Sequence, residues 1–281
     1  MPDAKHEPQP TGPQRKRGRP AQAGIAAAPG AVQSLGRALD LMESVAMAEQ
    51  GAGLTELAKA TGLAPSTAHR LLKTLQQRRY VSHDAERGLW FVGVQSFTVG
   101  AAFLRTRNVV AAARPVMRQL MEDSGESVSL AVLDGAAAVY LAQIECRAMM
   151  RALARPGGRA PLHCSGVGKA LLAALSEQER APLYARVEFT RYTDHTLTDP
   201  TALDEALRPV VVQGYAVDDE EFALGLRCVA AVIHDEYGEP VAAISCSGPT
   251  ARVTVDRVAS LGRLVAVAAA DIAAALGAVR R

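Results

Sequence analysis

The residues from Leu54 to Val81, LTELAKATGLAPSTAHRLLKTLQQRRYV, constrain the fold more than any other part of the sequence. Their apolar spacing predicts a short helix that ends at Gly62, because glycine commonly ends helices. Pro65 would begin a second helix, since the first helical turn does not need the N–H that proline lacks. Leucines within 71–75 would face the core. This pattern is typical of a helix-turn-helix, whose second helix enters the major groove of DNA.

Polar residues on the rest of the second helix are the predicted DNA contacts. They are Ser66, Thr67, His69, Arg70 and Lys73. The following stretch, YVSHDAERGLWFVG, predicts two strands around a turn, as in a winged variant. Five basic residues and no acidic residue lie between Lys59 and Arg79, which favours double-stranded DNA as a partner over an unrelated helical hairpin.

The first 30 residues are rich in Pro, Gly and Ala and show no apolar periodicity, which predicts a disordered arm. Within it, RKRGRP (Arg15–Pro20) resembles the core of an AT-hook, so Arg17 and Arg19 are candidates for contacts in the minor groove. Two alternatives stay open at this point. The segment could be a solvated basic tail, or the chain could be a nucleoid-type protein that binds DNA without a ligand.

Charge and composition indicate two unlike halves. Residues 1–100 contain 12 Lys and Arg against 8 Asp and Glu, whereas residues 101–281 contain 19 against 21. The longest uncharged apolar run near the C-terminus, Leu264–Ala270, is far shorter than the roughly 20 residues that cross a bilayer. No signal peptide is evident, and the four cysteines lie far apart. We therefore expect a cytoplasmic protein with reduced thiols and no contact with a membrane.

The second half predicts an antiparallel sheet with flanking helices. ESVSLAVL and AAVYLAQI are joined at Asp134-Gly135, a hairpin signal, and Cys228–His234 and Val241–Cys246 repeat the pattern. Helical periodicity is found in Asn108–Asp123 (interrupted by Pro115), Gly166–Leu175, Glu177–Arg186, Leu203–Gln213 and Thr254–Leu276. We expect an α+β chain with an arm at 1–30, a winged helix-turn-helix at 31–93, a linker helix at 94–107 and an effector-binding domain at 108–278.

The stretch PLHCSGVGKALLAAL (Pro161–Leu175) superficially looks like a nucleotide-binding loop. It lacks the first glycine of a Walker loop and the hydroxyl residue after Lys169, so it does not predict a nucleotide site. A glycine turn that opens a helix still offers free N–H groups for one small anion. The neighbours His163, Cys164 and Ser165 suggest a hydrolase as the enzyme alternative. However, no G-x-S-x-G turn is present, and we expect no enzymatic activity.

Four stretches together resemble the isocitrate lyase regulator (IclR) family of bacterial transcription factors. They are GLTELAKATGLAPSTAHRLLKTL, LHCSGVGKALLA, GYAVDDEEFALGLRCVAA and AAISCSGP. The resemblance extends from Val32 to Leu276 and is greatest to the branch that controls the acetate operon. It implies a winged helix that dimerises, a GAF-like effector domain, homodimers that can pair into tetramers, and a repressor without cofactor or metal.

The resemblance also implies an effector, a small 2-oxo acid such as glyoxylate or pyruvate. The implied contacts are Met149, Gly166, Val167, Asp218, Leu226, Cys228, Ser245 and Ser247. Asp218 beside an anion requires a proton, a hydrogen bond or a water molecule. Two positions depart from the branch, since Ala152 stands where methionine is expected and Val167 where alanine is usual. A larger or aromatic acid therefore remains the alternative effector.

Overall fold

The structure is a computed structural model that describes residues 32–106 and 109–278. The chain divides into two compact units, Met1–Gly100 and Ala101–Arg281. The predicted arm at 1–30, with Arg17 and Arg19, lies outside the described residues.

The first unit is a small helical domain with a three-stranded antiparallel sheet. Its elements are α1 (Gln33–Met47), β1 (Ala52–Gly53), α2 (Leu54–Ala60), α3 (Pro65–Gln77), β2 (Val81–Asp84) and β3 (Leu89–Val92), followed by α4 (Val94–Thr106). The strand order is β1-β3-β2, and β2 and β3 form the predicted hairpin. Leu41, Leu57, Leu72 and Trp90 are fully buried and form the centre of the core.

The second unit is built on a six-stranded antiparallel sheet. Its elements are α5 (Val109–Ser124), β4 (Ser127–Asp134), β5 (Ala137–Ile144), β6 (Arg159–Pro161), α6 (Gly166–Ala173), α7 (Glu177–Tyr184), α8 (Pro200–Gln213), β7 (Ala216–Asp219), β8 (Leu226–His234), β9 (Pro240–Pro249) and α9 (Val255–Ala275). The strand order is β6-β5-β4-β9-β8-β7. Helices cover both faces of this sheet, so the predicted α+β fold class is confirmed.

Alternation along the strands gives the two faces of the sheet different cores. Val128 on β4 and Ile244 on β9 lie on the face that packs against α5 and α9. Ala131 and Ala230 point to the opposite face, where α6 packs with Leu171. Alanine on this second face lets α6 approach the strands closely, and its N-terminus lies against β8.

Helix α9 has 21 residues and a hydropathy of 1.7, so by length and composition alone it could span a membrane. In the fold, however, Leu261, Val265 and Ile272 recur at helical spacing and are buried against the sheet. These contacts are those of a core helix in a globular domain.

Three details differ from the sequence predictions. Helix α5 continues through Pro115, since the ring removes one hydrogen bond while Ala113 and Met117 on either side are anchored in the core. Helix α8 begins at Pro200, three residues before the predicted start, because Asp199 caps the N–H groups of the first turn. The short strands β6 and β7 were not predicted, because three or four residues carry too little alternation to detect.

Candidate DNA-binding and effector-binding sites

The exposed face of α3 carries the predicted DNA contacts. Ser66, His69 and Arg70 are exposed and Thr67 is half-buried, whereas Ala68 and Leu72 on the opposite face are buried. Pro65 has no N–H, and the N–H groups of Thr67 and Ala68 donate to the carbonyl oxygen of Ala64 at 2.9 and 3.0 Å. No side chain of the described residues caps this N-terminus, so the N–H of Ser66 is available to a phosphate. The structure therefore brings the predicted contacts together on one solvent-facing surface.

Lys73 is exposed as well, but it differs from the other predicted contacts because its ammonium group also contacts its own domain. Its Nζ donates a hydrogen bond to Oε1 of Gln76 at 3.1 Å. The same Nζ lies 5.9 Å from the centre of the Trp90 ring, in a cation–π arrangement with the wing. Lys73 thus links α3 to β3, and a phosphate would have to compete with both contacts.

Polar side chains occupy one end of the sheet face that α6 covers, in two rows of paired strand positions. The first row contains Asp218, Cys228, Ser247 and Ser127. The second row contains Ala216, Ala230, Ser245, Ser129 and Gln143. Four of the predicted effector contacts, from three strands, are therefore neighbours on one surface, although they are up to 29 residues apart in the sequence.

The N-terminus of α6 lies directly on this polar surface. A Cβ atom at Gly166 would lie 2.7 Å from Sγ of Cys228, so only glycine permits this approach. Ser165 caps the helix, because its Oγ accepts the N–H of Gly168 at 3.1 Å. The N–H groups of Gly166 and Val167 remain at the helix start, where a carboxylate is favoured by the helix dipole.

Ser245 is the most informative side chain in this group. It is only 1% exposed, and its Oγ has no hydrogen-bond partner among the described residues. The Cys228 thiol lies close enough to this hydroxyl for the hydroxyl to lower the thiol's pKa slightly against the larger effect of burial. The two groups nevertheless do not form a hydrogen bond of normal geometry. Buried hydroxyls are nearly always hydrogen-bonded, so this oxygen indicates a missing partner such as a ligand.

Asp218 is 2% exposed and fixed by the loop that follows β7. Its Oδ1 accepts the N–H of Glu221 at 2.9 Å and that of Phe222 at 3.3 Å. Burial, and next the negative charge of Glu221, raise the pKa of Asp218 to about 7. This carboxyl group is therefore close to half-protonated at neutral pH.

A buried ion pair joins α6 to the same loop. Nζ of Lys169 contacts Oε1 of Glu221, and both residues are less than a tenth exposed. Thr193 and Thr196 fix the loop further, since their hydroxyls donate to the carbonyl oxygens of Glu220 and Glu221 at 2.7 Å each. The sequence analysis missed this pair, although a lysine between apolar residues of a helix is a signal for a buried partner.

Ser129 and Gln143 were also missed, and they extend the polar surface on its far side. Nε2 of Gln143 donates to Oγ of Ser129 at 3.3 Å and to the carbonyl oxygen of Ala152 at 3.2 Å. Oε1 of Gln143 accepts the N–H of Ala154 at 3.0 Å. These hydrogen bonds connect the segment of Ala152, the residue that replaces the methionine of the branch, to the row of strand positions that contains Ser245.

Two predicted contacts are placed differently from the rest. Leu226 is half-buried at the start of β8, two residues before Cys228 on the same face. Met149 is 99% exposed, so its side chain does not line the buried polar surface in this structure. The loop of Met149 would have to move for this residue to exclude water from a ligand.

The hydrolase alternative does not fit the geometry. Burial raises the pKa of the Cys164 thiol to about 12, which keeps it protonated and weakly nucleophilic. Ser165 is committed to the helix cap and donates its hydroxyl proton to the carbonyl oxygen of Pro161 at 2.5 Å. Nε2 of His163 bonds the carbonyl oxygen of Thr190 at 3.0 Å, so these neighbours do not form a nucleophile–base pair.

A groove of about 520 Å³ lies elsewhere, around the C-terminal end of α6 and one side of α9. Alanine and valine dominate its lining, with Tyr215 and His234 at its edge. None of the predicted effector contacts lines this groove, and it offers few polar groups to orient a carboxylate.

The two units define a class of protein, a winged-helix DNA-binding regulator with a separate ligand-binding domain. A family model described as the bacterial transcriptional regulator IclR C-terminal matches residues 101–274, and the IclR helix-turn-helix domain matches residues 34–85. The chain belongs to the IclR family. It is an effector-controlled, DNA-binding transcriptional regulator, and members of the family are regulators rather than enzymes.

Similar proteins include known repressors over nearly their full length. The chain is 48% identical to the acetate operon repressor of Salmonella typhimurium strain LT2 over 267 residues, 94% of this chain and 97% of that protein. It is 42% identical to the transcriptional repressor AllR of Escherichia coli K12 over 263 residues, which are 94% of this chain and 97% of that protein.

Solved structures show the same fold. The Thermotoga maritima IclR structure has 27% identity and a TM-score of 0.71, covering 87% of this chain and 98% of that one. An IclR homologue from Microbacterium hydrocarbonoxydans, solved with 4-hydroxybenzoate, has 24% identity and a TM-score of 0.75, covering 87% and 99%.

Proposed function

We propose that this protein is a cytoplasmic transcriptional repressor whose affinity for operator DNA is controlled by a small carboxylate, a 2-oxo acid such as glyoxylate or pyruvate. The carboxylate would bind the N–H groups of Gly166 and Val167 at the start of α6. Ser245 and Ser247 would donate hydrogen bonds to its oxygens, beside Cys228.

One observation carries this proposal, the unpartnered Oγ of Ser245 beside a helix N-terminus. A helix start attracts an anion, and a buried hydroxyl without an acceptor gains a full hydrogen bond when a carboxylate enters. The close contact between Gly166 and Cys228 holds these elements together on the sheet.

On the DNA side, we propose that α3 reads the major groove through Ser66, Thr67, His69 and Arg70. The arm with Arg17 and Arg19 would add contacts in the minor groove. Deleting residues 1–30 should weaken binding to operator DNA and reduce its salt dependence, with the preferred sequence unchanged. A changed preference would instead make the arm the main reader of the sequence.

Exposed apolar side chains support a homodimer. Val32, just before α1, and Leu35 and Leu39 on α1 are between 48% and 64% exposed, and on α4 Phe97 is 74% exposed. Apolar stripes of this kind on a DNA-binding domain are suited to a second copy, since two recognition helices must reach half-sites about one helical turn apart. A dimer of dimers would follow if the effector units also associate.

A second candidate effector is an aromatic acid. Ala152, whose carbonyl oxygen accepts from Nε2 of Gln143, has a smaller side chain than the methionine of the branch, and Met149 is exposed. We infer that these two side chains would obstruct a larger acid less than two inward-facing methionines would. The structural neighbour with 4-hydroxybenzoate is a member of the same fold that was solved with such an acid.

A thermal-shift series tests both effectors on the purified full-length protein. Glyoxylate, pyruvate and 4-hydroxybenzoate would each be added at millimolar concentration. At 100 times its Kd, a ligand adds about 2.7 kcal/mol of apparent stability. We expect a shift with a short 2-oxo acid that the Ser245→Ala/Ser247→Ala variant loses. A shift with 4-hydroxybenzoate alone would favour the aromatic acid, and a shift that survives in the variant would place the ligand elsewhere.

A further inference from the structure

The two oxygens of the Asp218 carboxyl group differ in their hydrogen bonds. Both backbone hydrogen bonds, from the N–H groups of Glu221 and Phe222, go to its Oδ1. Oδ2 is therefore the oxygen that can carry a proton. Asp218 is the strand partner of Cys228, and the Cys228 side chain touches the start of α6. The carboxyl group thus lies at the edge of the surface where an anion would bind.

Ionisable groups surround Asp218 from every packed element. They are Tyr140 on β5, Cys164 before α6, Lys169 on α6, Glu221 after β7 and Cys228 on β8. Burial raises the pKa of both thiols to about 12 and that of the Tyr140 phenol further still, so all three are neutral at physiological pH. Lys169 is the one cation among these groups, and it is paired with Glu221.

The charge balance makes an ionised Asp218 incompatible with a bound carboxylate. Lys169 and Glu221 cancel, so an ionised Asp218 and an effector anion would place two negative charges in a buried space. Backbone N–H groups and the partial positive charge at the start of α6 would offset them in part, but no further cation among these groups would. Burying two like charges together is unfavourable in a low dielectric. The neighbouring carboxylate Asp219 adds no negative charge to this buried space. It points to the other face of the sheet, is exposed and is paired with Arg227 at 2.5 Å.

We infer that Asp218 binds the effector as a carboxylic acid, so that each effector anion is taken up together with one proton from solvent. In this form Oδ2–H donates a hydrogen bond to an oxygen of the effector while Oδ1 keeps its two backbone donors. The inference rests on the proposed function and specifies what the site selects. The site takes an anion that accepts a hydrogen bond, and its occupancy rises as the pH falls.

The protonation state of the free protein supports this inference. Burial and the charge of Glu221 raise the pKa of Asp218 to about 7, so the acid form is already populated near neutral pH. An incoming carboxylate raises this pKa further, since like charges disfavour ionisation. Above pH 7 the free protein must therefore gain a proton before or during binding.

Isothermal titration calorimetry of the full-length protein with pyruvate and with glyoxylate tests the inference at pH 6 and pH 8. Both acids are fully ionised at these pH values, so only the protein contributes protons. We expect binding about tenfold weaker at pH 8, since one pH unit above the pKa corresponds to a tenfold change. Titrations at pH 8 in two buffers of different ionisation enthalpy should show uptake of about one proton.

Two variants complete the experiment. Asp218→Asn keeps an acceptor at Oδ1 and a permanent donor in place of Oδ2–H, so its affinity should be equal at pH 6 and pH 8. Asp219→Asn is the control on the opposite face; its amide oxygen can still accept from the buried Arg227, and the variant should retain the tenfold change. Equal wild-type affinity at both pH values, or no proton uptake, would overturn this inference and leave the proposed function standing. If neither acid binds at either pH, the proposed function fails with it.

Discussion

The two units of this chain keep their functional side chains in opposite environments. In the winged-helix unit, His69 and Arg70 project from α3 into solvent above an apolar core. In the effector unit, Asp218 and Ser245 are buried within the sheet. Exposed polar groups cost little to place, whereas each buried one needs a partner. Changes at exposed residues of the first site that make no contact with the domain core should therefore alter binding alone, and changes at buried residues of the second site that have partners should alter stability as well.

The strongest test of this contrast is Lys169→Met, which removes the cation of a buried ion pair. The carboxylate of Glu221 would be left buried without compensation, so the free energy of unfolding should fall by about 3–5 kcal/mol. Urea unfolding followed by circular dichroism measures this loss. Trp90, the one tryptophan of the chain, lies in the first unit, and its fluorescence should report a much smaller change there.

Arg159→Met is the matched control, because Arg159 pairs with Asp134 at 2.9 Å on the surface. Both partners are more than half exposed, so the loss should be about 0–1 kcal/mol. Equal losses in the two variants would contradict the contrast between buried and exposed charges.

The next effect in size is the pH dependence of stability due to Asp218. Its pKa is raised from 3.8 to about 7 in the folded protein, so folding favours the proton. This contribution is complete below the unfolded value and is lost as the pH rises through 7. Between pH 5 and pH 8 the loss should be about 3 kcal/mol, as an order of magnitude.

Comparison with Asp218→Asn isolates this contribution. The wild type should lose more stability than the variant when the pH is raised from 5 to 8, as measured by urea unfolding at each pH. His163 changes stability in the opposite sense, since burial lowers its pKa, but it is present in both proteins and cancels. Parallel pH profiles would mean that Asp218 is ionised in the folded state.

Sequence reasoning succeeded where a local pattern decides the structure. The glycine turn and Pro65 set the limits of α2 and α3, and Asp134-Gly135 set the β4–β5 hairpin. The same holds for the exposed face of α3, because helical periodicity separates its polar residues from its core residues. These features depend on a few adjacent residues, and the folded structure agrees with them.

The effector site could be predicted only in part, because it depends on strand register. Ser129 and Ser245 are neighbours through the pairing of β4 with β9, and no local pattern encodes this pairing. The Lys169–Glu221 pair joins residues 52 positions apart, again through tertiary packing. The outward position of Met149 depends on a loop conformation that spacing does not determine.

On the DNA side, Arg70→Ala and Lys73→Ala compare two exposed basic side chains of α3, of which Lys73 also contacts Gln76 and Trp90. Arg70 is exposed on α3, so its loss should weaken operator binding by about 1–3 kcal/mol. Lys73 is already engaged by Gln76 and Trp90, so its loss should cost less affinity and some stability of the wing. Fluorescence anisotropy with a duplex obtained by in vitro selection measures both. A greater loss of affinity in Lys73→Ala would show that DNA displaces these contacts.

Ser245→Ala gives the smallest expected effect on stability and the sharpest comparison with the other buried residues. Its Oγ has no hydrogen-bond partner within residues 32–106 and 109–278, so removing it should leave the free energy of unfolding unchanged or raise it by up to about 1 kcal/mol. Effector affinity should nevertheless fall about 10- to 150-fold, since a hydrogen bond to a charged ligand contributes about 1.5–3 kcal/mol. Ser129→Ala is the control, since its Oγ already accepts from Gln143 and its loss should destabilise the protein. Destabilisation by Ser245→Ala would mean that this hydroxyl is satisfied within the protein, and the helix start would then lose its strongest sign of a ligand.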